Sequence, residues 1–296
     1  IIEKPEIIEK DEIEHIVIAG GGINGFSYYG ILRESEQCGI WNIKNIKTIW
    51  GTSAGAMLAV LIAIKIDWNI IDEYLIKRPW ENVFSYNLYS LINANDNCGI
   101  FDVSKFHNIF NPLLKSKDID ININMQELFN ITNIEIHLIT TDVSTFQLVD
   151  ISHKTHPTWK IIDAIYTSSA IPILFKPLLI DNRLYCDGFF NSNYPIQQCI
   201  DSGISPNNVM GICPNIDGKI NDINEQTTLF DYIIYIFIFI IFKFIFKPTH
   251  FDINIEYKIK PGIFTIESFT NAISDPNERI RLIKYGSDFV KATQFE

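Results

Sequence analysis

Twice within the first 65 residues, a short β-branched run stops at glycine and passes without a linker into a helix-forming stretch. The first unit is 16–19 (IVIA), then Gly20, Gly21 and Gly22, then an amphipathic stretch over 26–38 that Gly39 closes. The second is 46–50, which runs into Gly51-Thr52-Ser53-Ala54-Gly55 and on into AMLAVLIAIKI, apolar on every side. Apolar strands that feed all-round apolar helices must be covered on both faces. Parallel strands joined by helical crossovers meet that demand. The expected fold is therefore three-layer α/β/α with a mostly parallel central sheet.

The rest of the chain fits that frame. Hydrophobic residues make up 47% of the 296 positions and charged residues 20%, enough apolar material for a large core. Residues 67–132 read as mixed helix and loop, and 135–141 and 146–151 as two strands. A helix over 159–169 ends before Ile171-Pro172, because a residue preceding proline is driven out of the helical region. Residues 178–181 and 183–186 form a hairpin around Asp181-Asn182 that delivers Asp187-Gly188 at its end. Residues 1–14 are charged and expected to form a loose arm. Residues 15–296 show no linker rich in Pro, Gly or Ser and no repeat, so one domain is expected.

A net charge of −11 argues against a nucleic-acid partner, which needs clustered Lys and Arg. Cys38, Cys98, Cys186, Cys199 and Cys213 are scattered, with no C-x-x-C pair. That favours a reducing compartment and offers neither a disulfide framework nor a metal site. The acidic start contains no leader-like run, so the expected location is cytoplasmic or peripheral on intracellular membranes.

Gly51-x-Ser53-x-Gly55 has the spacing of a nucleophile elbow, in which a serine sits on a sharp strand-to-helix turn with its hydroxyl exposed. Gly51 and Gly55 let the chain turn without a Cβ clash, and the helix from Ala54 points its positive end at the serine. The bland alternative is a Gly-Ser turn. The run Gly20-Gly21-Gly22-Ile23-Asn24-Gly25 also fits G-x-G-x-x-G between a strand and a helix, the context of a dinucleotide fingerprint. Such a site wants an acid at the end of the next strand, and here that strand ends in Gly51-Thr52-Ser53. Amides aimed at a developing oxyanion are the alternative role. None of the six histidines has a local context that marks it as a base for Ser53. Asp187 ends a strand and precedes Gly188, where it is either an ordinary turn residue or a carboxylate presented to a cleft.

In chain order, GGGINGFSYYGIL, GTSAG, the SSAIP stretch at 168–172 and the Asp187-Gly188 pair resemble the patatin-like phospholipase family, over about residues 15–195. The resemblance implies hydrolysis of membrane phospholipid or glycerolipid esters through an acyl-serine intermediate, without a cofactor. Ser53 would be the nucleophile and Asp187 its base, with no histidine between them. Gly20, Gly21, Gly22, Asn24 and Gly25, together with the Ala54 amide, would form the oxyanion hole. Two positions depart from the family pattern. Asn24 stands where the family has Arg or Lys, and Phe189 where Gly or Ala usually follows the base; both keep alive a catalytically weak, lipid-binding relative. A carboxylate of ordinary pKa, about 3.9, is a poor base at neutral pH, so the reading requires a desolvated Asp187. The remaining rivals are a dinucleotide-binding oxidoreductase and a hydrolase with a Ser–Asp–His triad.

Residues 229–246 form one apolar run, interrupted by Asp231 and Lys243. As a helix it is ~27 Å long, against a hydrocarbon core of ~30 Å, so a full span is the weaker reading. A buried core helix and a membrane-docking element both fit. The docking element would run from Tyr232 to Phe246 (232–246), with Lys243 and Lys247 placed to reach headgroups.

Overall fold

The computed structural model describes residues 12–85, 98–215, 227–240, 251–260 and 265–293. The strands are β1 (His15–Ile18), β2 (Thr48–Thr52), β3 (Gly99–Phe101), β4 (Glu135–Asp142), β5 (Gln147–Ile151), β6 (Ile173–Phe175), β7 (Leu178–Ile180), β8 (Arg183–Asp187), β9 (Val209–Pro214) and β10 (Ile255–Ile259). Among the described residues, the α-helices of six residues or more are α1 (Gly25–Gln37), α2 (Ala54–Ala63), α3 (Trp68–Lys77), α4 (Ser104–Lys115), α5 (Met125–Thr132), α6 (Ile161–Ser169), α7 (Ile196–Asp201), α8 (Leu229–Ile240), α9 (Ile266–Ser274) and α10 (Pro276–Thr293). The two opening strand–glycine–helix units are present, with β2 displaced two residues toward Ser53 relative to the sequence reading.

The main sheet follows the hydrogen-bonded path β10-β9-β1-β2-β4-β8-β7, with β5 also on β4. Strands β10, β9, β1, β2 and β4 are mutually parallel, whereas β5 and β8 run against β4. Successive side chains divide between the two faces, as the pleat requires. Ile16, Ile18, Ile49, Leu138 and Ile212 enter the large core beneath α1, α2, α6 and α10. Val17, Trp50, Ile139 and Val209 enter a smaller one with Ile196 and Cys199 of α7 and Ile253. Both faces are covered, which makes the fold three-layer α/β/α.

The registers on β4 determine how the sheet presents its chain ends. Thr48–Thr52 oppose 135–139, and Asp187, Cys186 and Tyr185 oppose Thr140, Thr141 and Asp142. Strand β5 pairs with 138–142, overlapping both sets, so it must take the opposite edge. Strands β2 and β8 therefore approach head to head along one edge of β4. Their last residues, Thr52 and Asp187, oppose the adjacent positions Ile139 and Thr140. The β7–β8 hairpin that feeds this meeting turns at Asp181 (φ 49) and Asn182 (φ 62), the double positive φ of a two-residue I′ turn.

Two sequence expectations are revised. Residues 12–14 are not part of a loose arm: Ile13 is 2% exposed, and the Glu14 amide donates to the Asn208 carbonyl at 3.0 Å. Residues 1–11 lie outside the described residues. Of the apolar run at 229–246, residues 229–240 form α8, with Leu229 75%, Tyr232 46% and Ile236 37% exposed, which sets one face of α8 outside the core. Residues 241–246 are outside the described residues. No helix among the described residues is long and apolar enough to cross a membrane.

Helices α1 and α10 touch backbone to backbone through Gly30 and Gly286. A Cβ on Gly30 would lie 2.1 Å from the Ile283 carbonyl oxygen, and one on Gly286 would lie 1.9 Å from that of Ser27. Intrinsic propensity alone would favour Ala at either helical position by ~1 kcal/mol. Overpacking opposes it, at ~1–3 kcal/mol or more where backbone must move. Gly30→Ala and Gly286→Ala are therefore expected to destabilise, measured as a fall in the urea midpoint with an unchanged slope; a rise would show that the helices separate freely.

Candidate active site

Ser53 is the last residue before α2 and has φ 55, ψ −120, far from any helical or extended conformation. Gly51 and Gly55 allow this because the backbones here almost touch. A Cβ on Gly51 would lie 2.4 Å from the Gly55 oxygen, and one on Gly55 would lie 2.2 Å from the Ile18 oxygen of neighbouring β1. A serine at a helix N-cap ordinarily folds its hydroxyl back onto the first turn. Ser53 makes no such bond, so its Oγ is left for other chemistry. The side chain is largely buried, at 5% exposure.

The SSA part of SSAIP holds this turn in place. The Ser53 amide donates to the Ser168 carbonyl and to Ser168 Oγ, both at 3.1 Å, and Ser168 Oγ donates to the Ile139 carbonyl at 2.6 Å. Ser169 Oγ donates to the Ser53 carbonyl at 3.2 Å. The same segment grips the other strand end: the Asp187 amide donates to the Ala170 carbonyl at 3.1 Å, and the Gly188 amide to that of Ser168 at 3.3 Å. Sequence reading noted this stretch without a role. Its role is to tie the ends of β2 and β8 together across β4.

Asp187 is completely buried. Its Oδ1 accepts the Phe189 amide at 2.8 Å, while Oδ2 is enclosed and holds no hydrogen bond. Burial pushes the carboxyl up to about 7; the Phe189 amide and the adjacent Ser53 hydroxyl pull the other way without offsetting it. Phe189 thus contributes an amide to Asp187, and its ring packs on Phe190 at 5.6 Å between centroids. Gly188 has φ −65, so no left-handed turn explains the glycine. Close approach does: a Cβ there would lie 2.1 Å from the Ile139 oxygen.

The glycine loop separates into amides that are bound and amides that are open. Gly20 donates to the Asn193 carbonyl at 2.8 Å, Asn24 to the Gly21 carbonyl at 2.9 Å, and Gly25 back to Gly22 and Ile23. These three amides are taken, which corrects the expectation that Gly20, Asn24 and Gly25 donate to an oxyanion. The Asn24 side chain is turned inward too, donating from Nδ2 to the Gly21 carbonyl at 3.0 Å. The amides of Gly21, Gly22 and Ala54 have no backbone acceptor among the described residues. Sequence reading missed Asn193, whose Nδ2 donates to the Gly20 carbonyl at 3.2 Å. The loop closes on Asn193 and Ser53, with Asn193 Oδ1 2.5 Å and Ser53 Cβ 3.2 Å from where a Gly20 Cβ would be, instead of opening onto a groove for a pyrophosphate.

No described histidine joins the site. His15 bonds to Thr48 at the far end of the parallel strands. His137 lies between Asp150 and Glu135 and stacks on Trp50. His153 stacks on Phe129 and His156 packs against Trp159, and none acts on Asp187. Ser53 instead opens onto an apolar cavity that follows α2 along Ala54, Met57, Leu58 and Leu61. Phe106 and Phe110 of α4 and Phe269 of α9 line it too.

Residues 16–200 match the patatin-like phospholipase family model, and the chain belongs to that family. It is 25% identical over 65% of its length to an uncharacterized protein of Acanthamoeba polyphaga mimivirus, and 25% identical over 62% to a probable lipid hydrolase of Invertebrate iridescent virus 6. The matched regions span 63% and 62% of those relatives. A lysophospholipase of Scheffersomyces stipitis is 26% identical over 66% of this chain but only 11% of its own length. In fold the chain is similar to VipD from Legionella pneumophila, with a TM-score of 0.53 at 15% identity, over 95% of this chain and 66% of that one.

The buried carboxyl has a consequence for stability. A folded pKa of about 7 against 3.8 in the open chain favours the neutral acid. The cost is therefore absent below about pH 4, grows as the pH rises and is complete above pH 7. At 1.36 kcal/mol per unit it reaches at most about 4 kcal/mol. Asp187→Asn keeps the shape and the Phe189 bond without the charge. Its unfolding free energy should rise relative to wild type between pH 4 and pH 8, measured by urea titration at several pH values. A difference that does not vary with pH would show the carboxylate is not penalised.

Proposed function

We propose that the chain is a lipid acyl hydrolase of phospholipase A type, acting on carboxylic esters of membrane glycerolipids through a Ser53–Asp187 dyad. The observation that carries this reading is a positive-φ serine in the lining of an apolar cavity, with an enclosed carboxyl group beside it that holds one unfilled oxygen. Asp187 takes the Ser53 proton as Oγ attacks the ester carbonyl. A base works best with a pKa near the operating pH, and burial raises this one toward that value. The developing oxyanion is met by the open amides of the glycine loop and of Ala54, at the positive end of α2. Collapse returns the proton to the departing alcohol and leaves an acyl-serine. Water, deprotonated by the same carboxylate, then releases the fatty acid. The acyl chain lies along α2 in the cavity, where it excludes water from the dyad.

Ser53→Ala should abolish ester hydrolysis and fluorophosphonate labelling while the protein stays folded. Asp187→Asn should lower kcat by at least ~10²-fold, and no His→Ala change should match it. For the wild type, kcat/KM should rise through pH ~7 and level off above it, since the ionised carboxyl is the active form. Equal turnover by Ser53→Ala and wild type would overturn the assignment. Retained vesicle binding without labelling of the wild type would favour a lipid-binding relative.

Contact with a membrane is assigned to residues 232–246 together with the exposed face of α8. With a net charge of −11, docking has to rest on apolar burial, which survives salt that shortens screening to ~3 Å at 1 M. Leu229→Ser combined with Ile236→Ser should weaken vesicle binding in high salt and leave hydrolysis of a short soluble ester unchanged. Unchanged vesicle binding would remove α8 from the docking surface.

A further inference from the structure

Asn24 and Asn193 come from distant parts of the chain, yet both direct a side-chain amide at the glycine loop. Asn193 Nδ2 donates to the Gly20 carbonyl at 3.2 Å, and Asn24 Nδ2 donates to the Gly21 carbonyl at 3.0 Å. A carbonyl can only accept, so these nitrogen positions follow from the chemistry of the pair. Both side chains are buried, Asn24 at 6% and Asn193 at 8% exposure. The backbones of the same two residues add further bonds, from Asn24 N–H to the Gly21 carbonyl and from Gly20 N–H to the Asn193 carbonyl.

The consequence lies on the other side of each peptide group. In a trans peptide the C=O and N–H point in opposite directions within one plane. The Gly20 carbonyl shares its plane with the Gly21 amide, and the Gly21 carbonyl shares its plane with the Gly22 amide. Holding the two carbonyls therefore aims the Gly21 and Gly22 amides the opposite way, and these are the open amides of the loop. Gly22 lines the cavity together with Ser53, and parallel pairing of Ile18 with Gly51 brings the loop after β1 alongside the turn after β2. Glycines are free to rotate about their own backbone, so without the clamps this run could turn either face of each peptide toward the cavity. Asn193 follows the helical turn Phe189–Ser192 that leaves Asp187, so the segment after β8 supports Asp187 and the amide loop together.

We infer that Asn24 and Asn193 are positioning residues that preset the Gly22 and Gly21 amides as oxyanion donors; the inference rests on the acyl-hydrolase reading above. Neither side chain touches the reacting atoms. Their effect is to remove the reorganisation the loop would otherwise undergo as negative charge develops.

The test compares Asn24→Ala, Asn193→Ala, Asn24→Asp and Asn193→Asp with wild type and Ser53→Ala. It uses a short p-nitrophenyl ester and the second-order rate of fluorophosphonate labelling. Each alanine variant should lose about tenfold or more in both kcat and labelling rate, short of the ~10²–10³ that follows removal of a donor outright, with KM unchanged. In the Asp variants a neutral acid can still donate to the glycine carbonyl and a carboxylate cannot. Their kcat, divided by that of wild type at the same pH, should therefore climb as the pH falls. These variants keep the side-chain shape and decide the question if an alanine variant fails to fold. Wild-type kcat in both alanine variants, a loss confined to KM, or a ratio that is flat in pH would overturn the positioning role. If Ser53→Ala hydrolyses the ester as fast as wild type, the underlying reading fails instead.

Discussion

The site depends on one packing constraint, the end-to-end meeting of β2 and β8 on a single edge of β4. Thr52 and Asp187 oppose neighbouring residues, Ile139 and Thr140, so the two chains leave the sheet in opposite directions from almost the same point. Backbone comes so close there that only glycine fits at 188, whose Cβ would lie 2.1 Å from the Ile139 oxygen. The polar groups exposed by ending two strands at once are then satisfied locally. Ser168 Oγ bridges the Ile139 carbonyl and the Ser53 amide, Thr140 Oγ1 donates to the Cys186 carbonyl, and Thr141 Oγ1 donates to that of Asp187. The positive φ of Ser53 costs of order 1–3 kcal/mol and persists because the neighbours on every side leave the chain no relaxed alternative.

The same crowding encloses Asp187. A carboxyl group in that position cannot be solvated, so it is held as a high-pKa acid with one oxygen bonded and the other free. Folding alone would be better served by an amide or an apolar residue. A group that costs stability and keeps an unfilled oxygen near a serine hydroxyl supports the proposed role of Asp187 as a base.

Much of this was legible in the sequence, for identifiable reasons. Strands apolar on both faces and the glycines after them follow from local sterics, so 16–25 and 46–55 could be read directly. So could the I′ turn at Asp181-Asn182. What could not be read depends on non-local register. No local pattern says that β8 abuts β2 on β4, or that SSAIP lies between them. Asn193 offers no signal at all, because an asparagine a few residues past a strand is ordinary until its partner, Gly20, is known. The glycine run misled in part for the same reason. Every glycine there carries an N–H, and only the folded loop decides that Gly20 donates to Asn193 and Gly25 back to Gly22 and Ile23 while Gly21 and Gly22 are open. Gly188 was read as a turn residue when its requirement is space.

The family match ends at residue 200, yet the cavity does not. Phe269, Ala272 and Ile273 of α9 line it opposite α2, and a buried arginine holds α9 in position. Arg279, 1% exposed, donates to the carbonyls of Ala272 and Ile273 at 2.8 and 3.1 Å, and to those of Ile76 and Arg78 at 2.6 and 3.3 Å. One guanidinium thus satisfies the open carbonyl ends of both α9 and α3, a use to which its planar set of donors is suited. Tyr74 and Leu75 of α3 line the same cavity, so Arg279 joins two of its walls. The helix that bears Arg279 is α10, fastened to α1 through Gly30 and Gly286, and α1 begins at the glycine loop. The strand ends and the groups they bring together therefore lie within the family region, whereas the shape of the cavity is set in part by the segment beyond it. On the acyl-hydrolase reading proposed above, relatives that share the first and differ in the second would keep the reaction and change which lipids fit.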